Sequence, residues 1–427
     1  MLIGCDNSSD SILPDTVFST KEYLESIKNV SMEEENDSDK VVLNAELPDS
    51  LSAKLIGEAG ELSKGRFYFE NLKDEDRLLY TEIAGILLNR LDDVRVSSNN
   101  HEKINEMFFS VMKDYPEIFY VDAMSITKYK QGDVEKCVSL SGKYTMDEDE
   151  IASYIPLLNN YVRAFDEYVL GNYASEYVDK NIDEVVVNDG LEDLRAIVKE
   201  KVDDYHLIKA AYEYIINFTE YDKTVLNNQN IISVIKDHKS VCNGYAKTLQ
   251  YLMNAHDIEC TVVSGTVNES EAHAWNLIKA DGEYYYTDAT WGDSSYLISN
   301  SEKLNDRSLP SISYNYLLIT TEEILKTHRF DDMNNLPKCE VMDDNYFVRE
   351  GTYFSDVDTK KLKKVFADAY ETGDEILTIK MQDHDIYDSM RDYLIKDQKI
   401  FDYYKASKSV TYVEDPEHNC MIFWLLI

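Results

Sequence analysis

A cysteine, a histidine and an aspartate follow one another in the middle of the chain, at Cys242, His273 and Asp288. A thiolate can attack a carbonyl carbon, an imidazole can carry the proton, and a carboxylate can orient the imidazole. The order therefore predicts a nucleophile, a base and an orienting group. Taken singly, such residues are more often a small buried apolar group, a satisfied histidine and a turn residue. The elements that position them decide between the two interpretations.

Cys242 falls at the start of a predicted amphipathic helix. Apolar residues recur at helical spacing at Tyr245, Leu249, Leu252 and Met253, and Ser240 is the expected N-cap. Unpaired N–H groups and the positive end of the helix dipole favour a thiolate in the first turn, so we expect a lowered pKa for Cys242. The missing side chain at Gly244 lets a substrate or other backbone approach this turn closely.

His273 and Asp288 flank a predicted β-hairpin. Asp281-Gly282 between two apolar runs is a strong signal for a two-residue type I′ turn. That turn fixes a register in which Trp275 faces Asp288 and His273 faces Thr290, all on one side of the hairpin. Asp288 is then the diagonal neighbour of His273, with backbones roughly 7–8 Å apart. His328 is an alternative base by residue type, but this register places no carboxylate beside it.

The segments that carry these residues resemble one known family. Cys242–Ala246 reads Cys-Asn-Gly-Tyr-Ala, His273–Asn276 reads His-Ala-Trp-Asn, and Asp288–Asp293 reads Asp-Ala-Thr-Trp-Gly-Asp. They resemble the Cys-x-Gly-Tyr-Ala, His-Ala-Trp and Asp-x-Thr-Trp signatures of the bacterial transglutaminase-like superfamily, whose catalytic arrangement is papain-like. The resemblance implies that Cys242 is the nucleophile, His273 the base and Asp288 the orienting carboxylate.

The resemblance also implies a set of residues around the substrate. Trp275 and Trp291 would correspond to the family's aromatic wall, although a purely structural role is at least as common for buried tryptophans. Gly244, Tyr245 and Asn276 belong to the same motifs and are predicted to bind substrate.

One family feature is missing. Animal transglutaminases use a tryptophan upstream of the nucleophile as an oxyanion donor, but no Trp precedes Trp275 here. The oxyanion would rely on the Cys242 N–H and a polar donor, for which Gln229 is the candidate against a simple loop role. This difference puts the animal-type crosslinking reaction in doubt, but not the thiol chemistry.

Two functions of different classes follow. The first is an enzyme that forms a thioester between Cys242 and the acyl group of a protein or peptide amide. It then transfers the acyl group to water, as a transglutaminase-like cysteine peptidase, or to an amine, as a transglutaminase. The second is a catalytically inactive binding module on the same fold, at a cell surface. We favour the enzyme because all three members of the triad are present. The fate of the acyl group depends on how the cleft admits water relative to an amine, so hydrolysis and transamidation both stay open.

Composition limits the partners. The chain has 427 residues, with 81 acidic and 43 basic side chains and a formal net charge of −38. Such a charge argues against nucleic acid and anionic lipid as partners, and favours cationic ones such as lysine-rich or cell-wall-linked protein or peptide substrates. Cys137, Cys260, Cys339 and Cys420 are scattered without Cys-x-x-Cys spacing, so we predict no metal site, no disulfide framework and no cofactor.

The N-terminus suggests where in the cell the protein is located. Leu2–Cys5 resembles the lipobox of bacterial lipoproteins, in which the cysteine becomes the lipidated first residue. Ser, Asp, Glu and Asn are abundant from Asp6 to about Ser50, as in a solvated tether. We expect an extracytoplasmic cell-surface lipoprotein with an apolar leader upstream, which contacts the membrane only through Cys5. An ordinary frayed N-terminus is the alternative.

The predicted fold class is α+β. A papain/transglutaminase-like core, in which a helix bearing the cysteine packs on an antiparallel sheet bearing the histidine and aspartate, would occupy residues 191–340. We predict a disordered acidic tether over 1–64, an α+β accessory domain over 65–178 with a strand near Arg66–Glu70, and a small α/β domain over 346–427. The last apolar run is predicted to be a buried strand, because it is far shorter than the ~20 residues needed to span a bilayer.

Overall fold

The computed structural model describes residues 40–173, 191–268, 270–294, 310–331, 333, 335–405 and 409–425. Cys5 and most of the predicted tether lie outside these residues. The described chain divides into two compact units. The first unit comprises the described residues up to Gly282 together with Arg329–Asn335, and the second comprises Glu283–His328 and the described residues from Leu336 onward.

The first unit begins with a helical layer and a four-stranded sheet. Its elements up to residue 173 are β1 (Lys40–Leu43), α1 (Ala53–Ser63), α2 (Phe67–Asn71), α3 (Asp74–Leu88), β2 (Val94–Arg95), α4 (His101–Asp114), β3 (Val121–Gln131), β4 (Val134–Tyr144) and α5 (Glu148–Tyr173). The sheet order is β1-β3-β4-β2, with β1 parallel to β3 and the other neighbours antiparallel. Apolar side chains of α3 and α4 form one core with those of β3 and β4.

Two features of this region correct the sequence prediction. The tether predicted through residue 64 is wrong for 40–63, where β1 and α1 are part of the fold. The strand predicted at Arg66–Glu70 is wrong as well, because helix α2 occupies this position. Its N–H groups at Tyr68 and Phe69 donate to the buried carboxylate of Asp114, 3.1 and 3.0 Å away. An acceptor from a distant helix thus decides the local structure, which short-range propensity does not reveal.

The remainder of the first unit holds the nucleophile candidate. Its elements are α6 (Leu191–Lys201), α7 (Asp204–Phe218), β5 (Glu220–Tyr221), α8 (Ile231–Asp237), β6 (Lys239–Ser240), α9 (Cys242–Ala255), β7 (Cys260–Val267) and β8 (Glu271–Ala280). Strands β7 and β8 are antiparallel, and α9 packs against both. The predicted apolar face of α9 is confirmed, since Tyr245, Leu249, Leu252 and Met253 are fully buried.

The second unit combines short elements with a four-stranded sheet. Its elements are β9 (Glu283–Thr287), α10 (Ala289–Gly292), α11 (Thr321–Ile324), β10 (His328–Phe330, whose last two residues belong to the first unit), α12 (Tyr346–Arg349), β11 (Tyr353–Phe354), α13 (Thr359–Thr372), β12 (Ile376–Met381), α14 (His384–Arg391), β13 (Thr411–Asp415) and β14 (Cys420–Trp424). Short 3₁₀ segments lie at Tyr314–Tyr316 and Lys399–Asp402, and a π-helical turn follows α14 at Asp392–Lys396.

The sheet of the second unit has the order β11-β12-β14-β13, parallel between β11 and β12 and antiparallel elsewhere. The predicted C-terminal strand is confirmed as β14, which pairs on both sides. Helices and largely antiparallel sheets together confirm the α+β class. Among the described helices, none combines the length and the apolar character needed to cross a bilayer.

Candidate active site

Helix α9 begins at Cys242, which confirms the predicted first-turn position. Its N-cap is Val241 and not Ser240, because the Ser240 hydroxyl is engaged elsewhere, 2.8 Å from Asn228 O and 2.7 Å from Ser233 Oγ. Helices α7, α8, α13 and α14 each have an Asp or Asn side chain as N-terminal cap, whereas α9 has none. Uncapped first-turn N–H groups can stabilise a thiolate or an oxyanion beside the thiol.

The loop before α9 is fixed to its N-terminus. Asn228 O accepts hydrogen bonds from the Ser240 hydroxyl and, at 3.4 Å, from Val241 N–H. The neighbouring Gln229 donates from Nε2 to Asn228 Oδ1 at 3.2 Å. Gln229 is thereby held beside the first turn of α9, and its role as an oxyanion donor stays a prediction.

Gly244 is required by this packing. A Cβ at this position would lie 1.8 Å from Ser240 Oγ and 3.2 Å from Asn228 O. The close approach predicted for Gly244 is therefore made, within the described residues, by the segment that precedes the helix. Substrate binding at Gly244 stays a prediction.

His273 lies on β8 and is buried. Its cross-strand partner on β7 is Gly265, which has no side chain to cover it. The ring of Trp275, two residues along β8, is nearly parallel to the imidazole, with centroids 6.1 Å apart, and packs edge-on against Phe330 at 5.2 Å. Trp275 therefore supports the position of the His273 ring.

Tyr245 and Asn276, both predicted to bind substrate, make structural contacts. The Tyr245 hydroxyl donates to Thr219 O at 2.9 Å, and the side chain is fully buried. The Asn276 amide, also fully buried, donates to Ala246 O at 2.9 Å. The second contact joins α9 to β8, so Asn276 fixes the strand of His273 to the helix of Cys242.

Asp288 belongs to the second unit and caps a short helix. Strand β9 ends at Thr287, so the predicted strand does not continue to Thr290. Asp288 Oδ1 accepts from the N–H groups of Thr290 and Trp291 at 2.9 and 3.1 Å.

The turn before β9 has positive φ at Asp281 (48°) and Gly282 (92°), as a type I′ turn requires.

The structure places His328 beside Asp288, which corrects the expectation that no carboxylate accompanies this histidine. His328 Nε2 lies 3.0 Å from Asp288 Oδ2, and His328 Nδ1 lies 2.7 Å from Thr327 Oγ1. The Trp291 ring packs against the imidazole at 5.1 Å and against Tyr316 at 5.4 Å. Forty residues of sequence separate the pair and no local pattern signals it, so spacing alone could not reveal it.

All five described cysteines are buried, Cys242 among them. Burial raises the pKa of the Cys339 and Cys420 thiols to about 12, and also raises those of Cys137 and Cys260. These four are therefore protonated and poorly nucleophilic at neutral pH. Cys242 packs against Ala246 and Ala274, with Val262 at the edge of the same cluster.

The first unit thus brings Cys242, His273, Trp275 and Asn276 onto one helix and the strand packed on it. The second unit brings Asp288, Trp291 and His328 together. The assignment of Cys242, His273 and Asp288 as a catalytic triad stays a prediction.

Comparison with known proteins identifies the family that residues 194–289 match. Residues 194–289 match the family model of the Transglutaminase-like superfamily. The matched residues hold Cys242, His273 and Asp288 with the motifs around them. The chain therefore carries a transglutaminase-like domain, which confirms the resemblance found in the three motifs. The fold supports cysteine-based acyl transfer or peptidase chemistry in general.

Three solved structures are similar to parts of the chain. A TGase is 18% identical, with 44% of this chain and 48% of that chain covered and a TM-score of 0.21. A candidate cysteine protease from Cytophaga hutchinsonii is 15% identical, with 39% and 62% covered and a TM-score of 0.21. The periplasmic domain of TgpA from Pseudomonas aeruginosa is 18% identical, with 23% and 41% covered and a TM-score of 0.19.

The chain spans less than two thirds of each of these three structures. Among proteins with curated descriptions, none matches the sequence.

Proposed function

We propose that the chain is a cysteine-dependent acyltransferase or peptidase that forms a thioester between Cys242 and the acyl group of a protein or peptide amide. The start of α9 carries the proposal. There Cys242 occupies the first turn of a helix without a capping side chain, and the helix packs on the strand of His273. This position suits a nucleophilic thiol, because the N–H groups and the dipole at a helix N-terminus favour a thiolate.

The proposed reaction has two steps. The Cys242 sulfur bonds to the amide carbonyl carbon, the C–N bond breaks, and the thiol proton passes through His273 to the leaving amine. Water or a second amine then attacks the thioester and gives its proton to His273, and the sulfur leaves as a thiolate. In this proposal Asp288 orients His273, while the Cys242 N–H and Gln229 stabilise the oxyanion.

The proposal also covers the substrates and the cellular location of the protein. The net charge of −38 favours protein or peptide substrates that approach with cationic surfaces, such as lysine-rich or cell-wall-linked ones. We place the protein outside the cytoplasm, anchored through lipid on Cys5. Membrane fractionation of the natural gene product tests this location. A Cys5→Ser variant found in the membrane fraction as often as the wild type would contradict it.

Casein and a fluorescent primary amine test the chemistry. Incorporation of the amine indicates transfer, and release of small peptides indicates hydrolysis. Either activity should disappear in Cys242→Ala and persist in the matched control Cys137→Ala. If folded wild-type protein shows neither activity, and iodoacetamide labels Cys242 no faster than Cys137, the binding-module interpretation should replace the enzyme.

A further inference from the structure

A cavity of about 200 Å³ lies within the first unit, next to the helix of Cys242. One wall is the end of α4 and the segment that follows it, and the other comes from α9, β7 and the loop before α8. Its apolar lining includes Phe109, Met112, Ile118, Phe119, Val121 and Val262. The predicted accessory region, which had no assigned chemistry, thus supplies most of the apolar surface.

The cavity adjoins the proposed nucleophile through two residues. Val262 lines the cavity and also packs against the cluster that contains Cys242. Asn243, which follows Cys242 on α9, lines it as well. A group bound here would therefore belong to a molecule within reach of the thiol.

The charge at the cavity is opposite to that of the whole chain. Lys113 and Lys247 line it, and none of the described lining residues is Asp or Glu, in a chain whose net charge is −38. Lys247 is partly buried on α9, and no described residue forms an ion pair or hydrogen bond with its ammonium group. Burial lowers its pKa to about 8, so it is mostly charged at neutral pH. A partly desolvated ammonium group at the edge of an apolar cavity can pair with an anion.

Two further features define the ligand. Gln229 Oε1 is buried without a hydrogen-bond donor among the described residues, so it can accept one N–H. An apolar cavity of about 150 Å³ is known to hold benzene, so the volume found here admits one large side chain and little more. The site therefore fits a peptide with an apolar side chain that fills the cavity. A backbone N–H of this peptide donates to Gln229 Oε1, and a carboxylate beside the apolar side chain pairs with Lys247.

We propose that this cavity is the specificity pocket of the enzyme and binds a peptide segment in which a large apolar residue lies next to an acidic one. The apolar side chain fills the space between α4 and β7, and the carboxylate pairs with Lys247. The inference rests on the proposed function, because it makes the bound peptide the substrate of Cys242. The acidic residue is one position of the substrate, so it can pair with Lys247 while cationic residues elsewhere in the substrate face the acidic surface.

Calorimetric titration of Cys242→Ala protein tests the pocket without any chemical step. The probe is the end-blocked peptide Gly-Gly-Phe-Glu-Gly-Gly, compared with peptides in which Glu is replaced by Gln or Phe by Ala. Each replacement should weaken binding about tenfold or more, because each removes a charged hydrogen bond or the burial of a ring. Adding Lys247→Met should abolish the preference for Glu over Gln, whereas Lys247→Arg should keep it. The matched control is Lys363→Met, which removes an exposed lysine on α13.

Circular dichroism establishes that each variant is folded. Equal affinity for the Glu and Gln peptides, or a preference that survives Lys247→Met, overturns the proposal. Failure here is distinct from failure of the proposed function. A protein that binds the Phe-Glu peptide but never reacts lacks the chemistry and retains the pocket, whereas one that turns over casein without this preference has the chemistry and lacks the pocket.

Discussion

The Nε2 atom of His328 lies 3.0 Å from Oδ2 of Asp288, and both side chains are almost completely buried. A ring with its proton on Nε2 satisfies this contact and leaves Nδ1 to accept from the Thr327 hydroxyl. Asp288 therefore has a fixed orientation before any substrate is present, because its other oxygen accepts two backbone N–H bonds. His328 is a positioning residue for Asp288.

Replacing His328 tests this relationship. His328→Ala should lower the free energy of unfolding by about 1–3 kcal/mol, because a buried carboxylate oxygen loses a hydrogen-bond donor. His328→Gln should recover part of the loss, since its amide can donate to the same oxygen. Urea denaturation measures both variants against His384→Ala, which removes a mostly exposed imidazole. Equal stability of the Ala and Gln variants would contradict the assigned hydrogen bond.

Gly265 leaves the space that Trp275 occupies beside His273. A Cβ at this position would lie 1.9 Å from Arg329 O and 2.7 Å from Cη2 of Trp275. Gly265→Ala should therefore destabilise the protein by about 1–3 kcal/mol through overpacking. The control Gly57→Ala lies in a helix where a Cβ meets nothing within 4 Å, and should stabilise by up to about 1 kcal/mol. Thermal unfolding that moves both variants in the same direction would refute this assignment.

The sequence predicts the elements around the thiol because their signals are local. The apolar spacing of α9 gives its buried face, and Asp281-Gly282 gives the turn with two positive φ values. Both depend on residues within a few positions of one another.

What the sequence could not predict depends on distant partners. Ser240 has the residue type of an N-cap, yet its hydroxyl bonds to the loop at Asn228 instead. Asp114 turns the predicted strand near Phe69 into a helix by accepting its N–H groups. The contact of His328 with Asp288 and the place of Lys247 at the cavity likewise depend on packing of segments that are far apart in sequence.

We expect Asn276 to stabilise the fold through its hydrogen bond to helix α9. Asn276→Ala removes the bond to Ala246 O and should cost about 1–3 kcal/mol of stability. Asn276→Asp should cost more, because it places a carboxylate against carbonyl oxygens. The control is Asn172→Ala, an exposed residue whose amide also donates to a carbonyl. If Asn276→Ala is as stable as wild type and raises only KM, substrate binding is its role.

Binding of the Phe-Glu peptide should depend on pH through Lys247. The group is charged below its pKa of about 8 and neutral above it. Affinity should be constant between about pH 6 and pH 7 and fall as the pH rises through about 8, because the carboxylate loses its cation. The other titratable groups lining the cavity are Lys113 and Tyr115, and burial raises the pKa of Tyr115 to about 12.

Calorimetry across this range measures the effect. Lys247→Arg keeps its charge throughout and should flatten the profile. A profile that falls equally in the Arg variant would assign the titration to another group.

Mass spectrometry of the protein, quenched in acid during turnover of a casein peptide, tests whether Cys242 is the nucleophile. We predict an acyl group attached to the tryptic fragment that contains Cys242, removable by hydroxylamine as a thioester is, and absent from Cys242→Ala. Turnover that proceeds at the same rate in folded Cys242→Ala, or an acyl group found only on another residue, would contradict the assignment of Cys242 as the nucleophile.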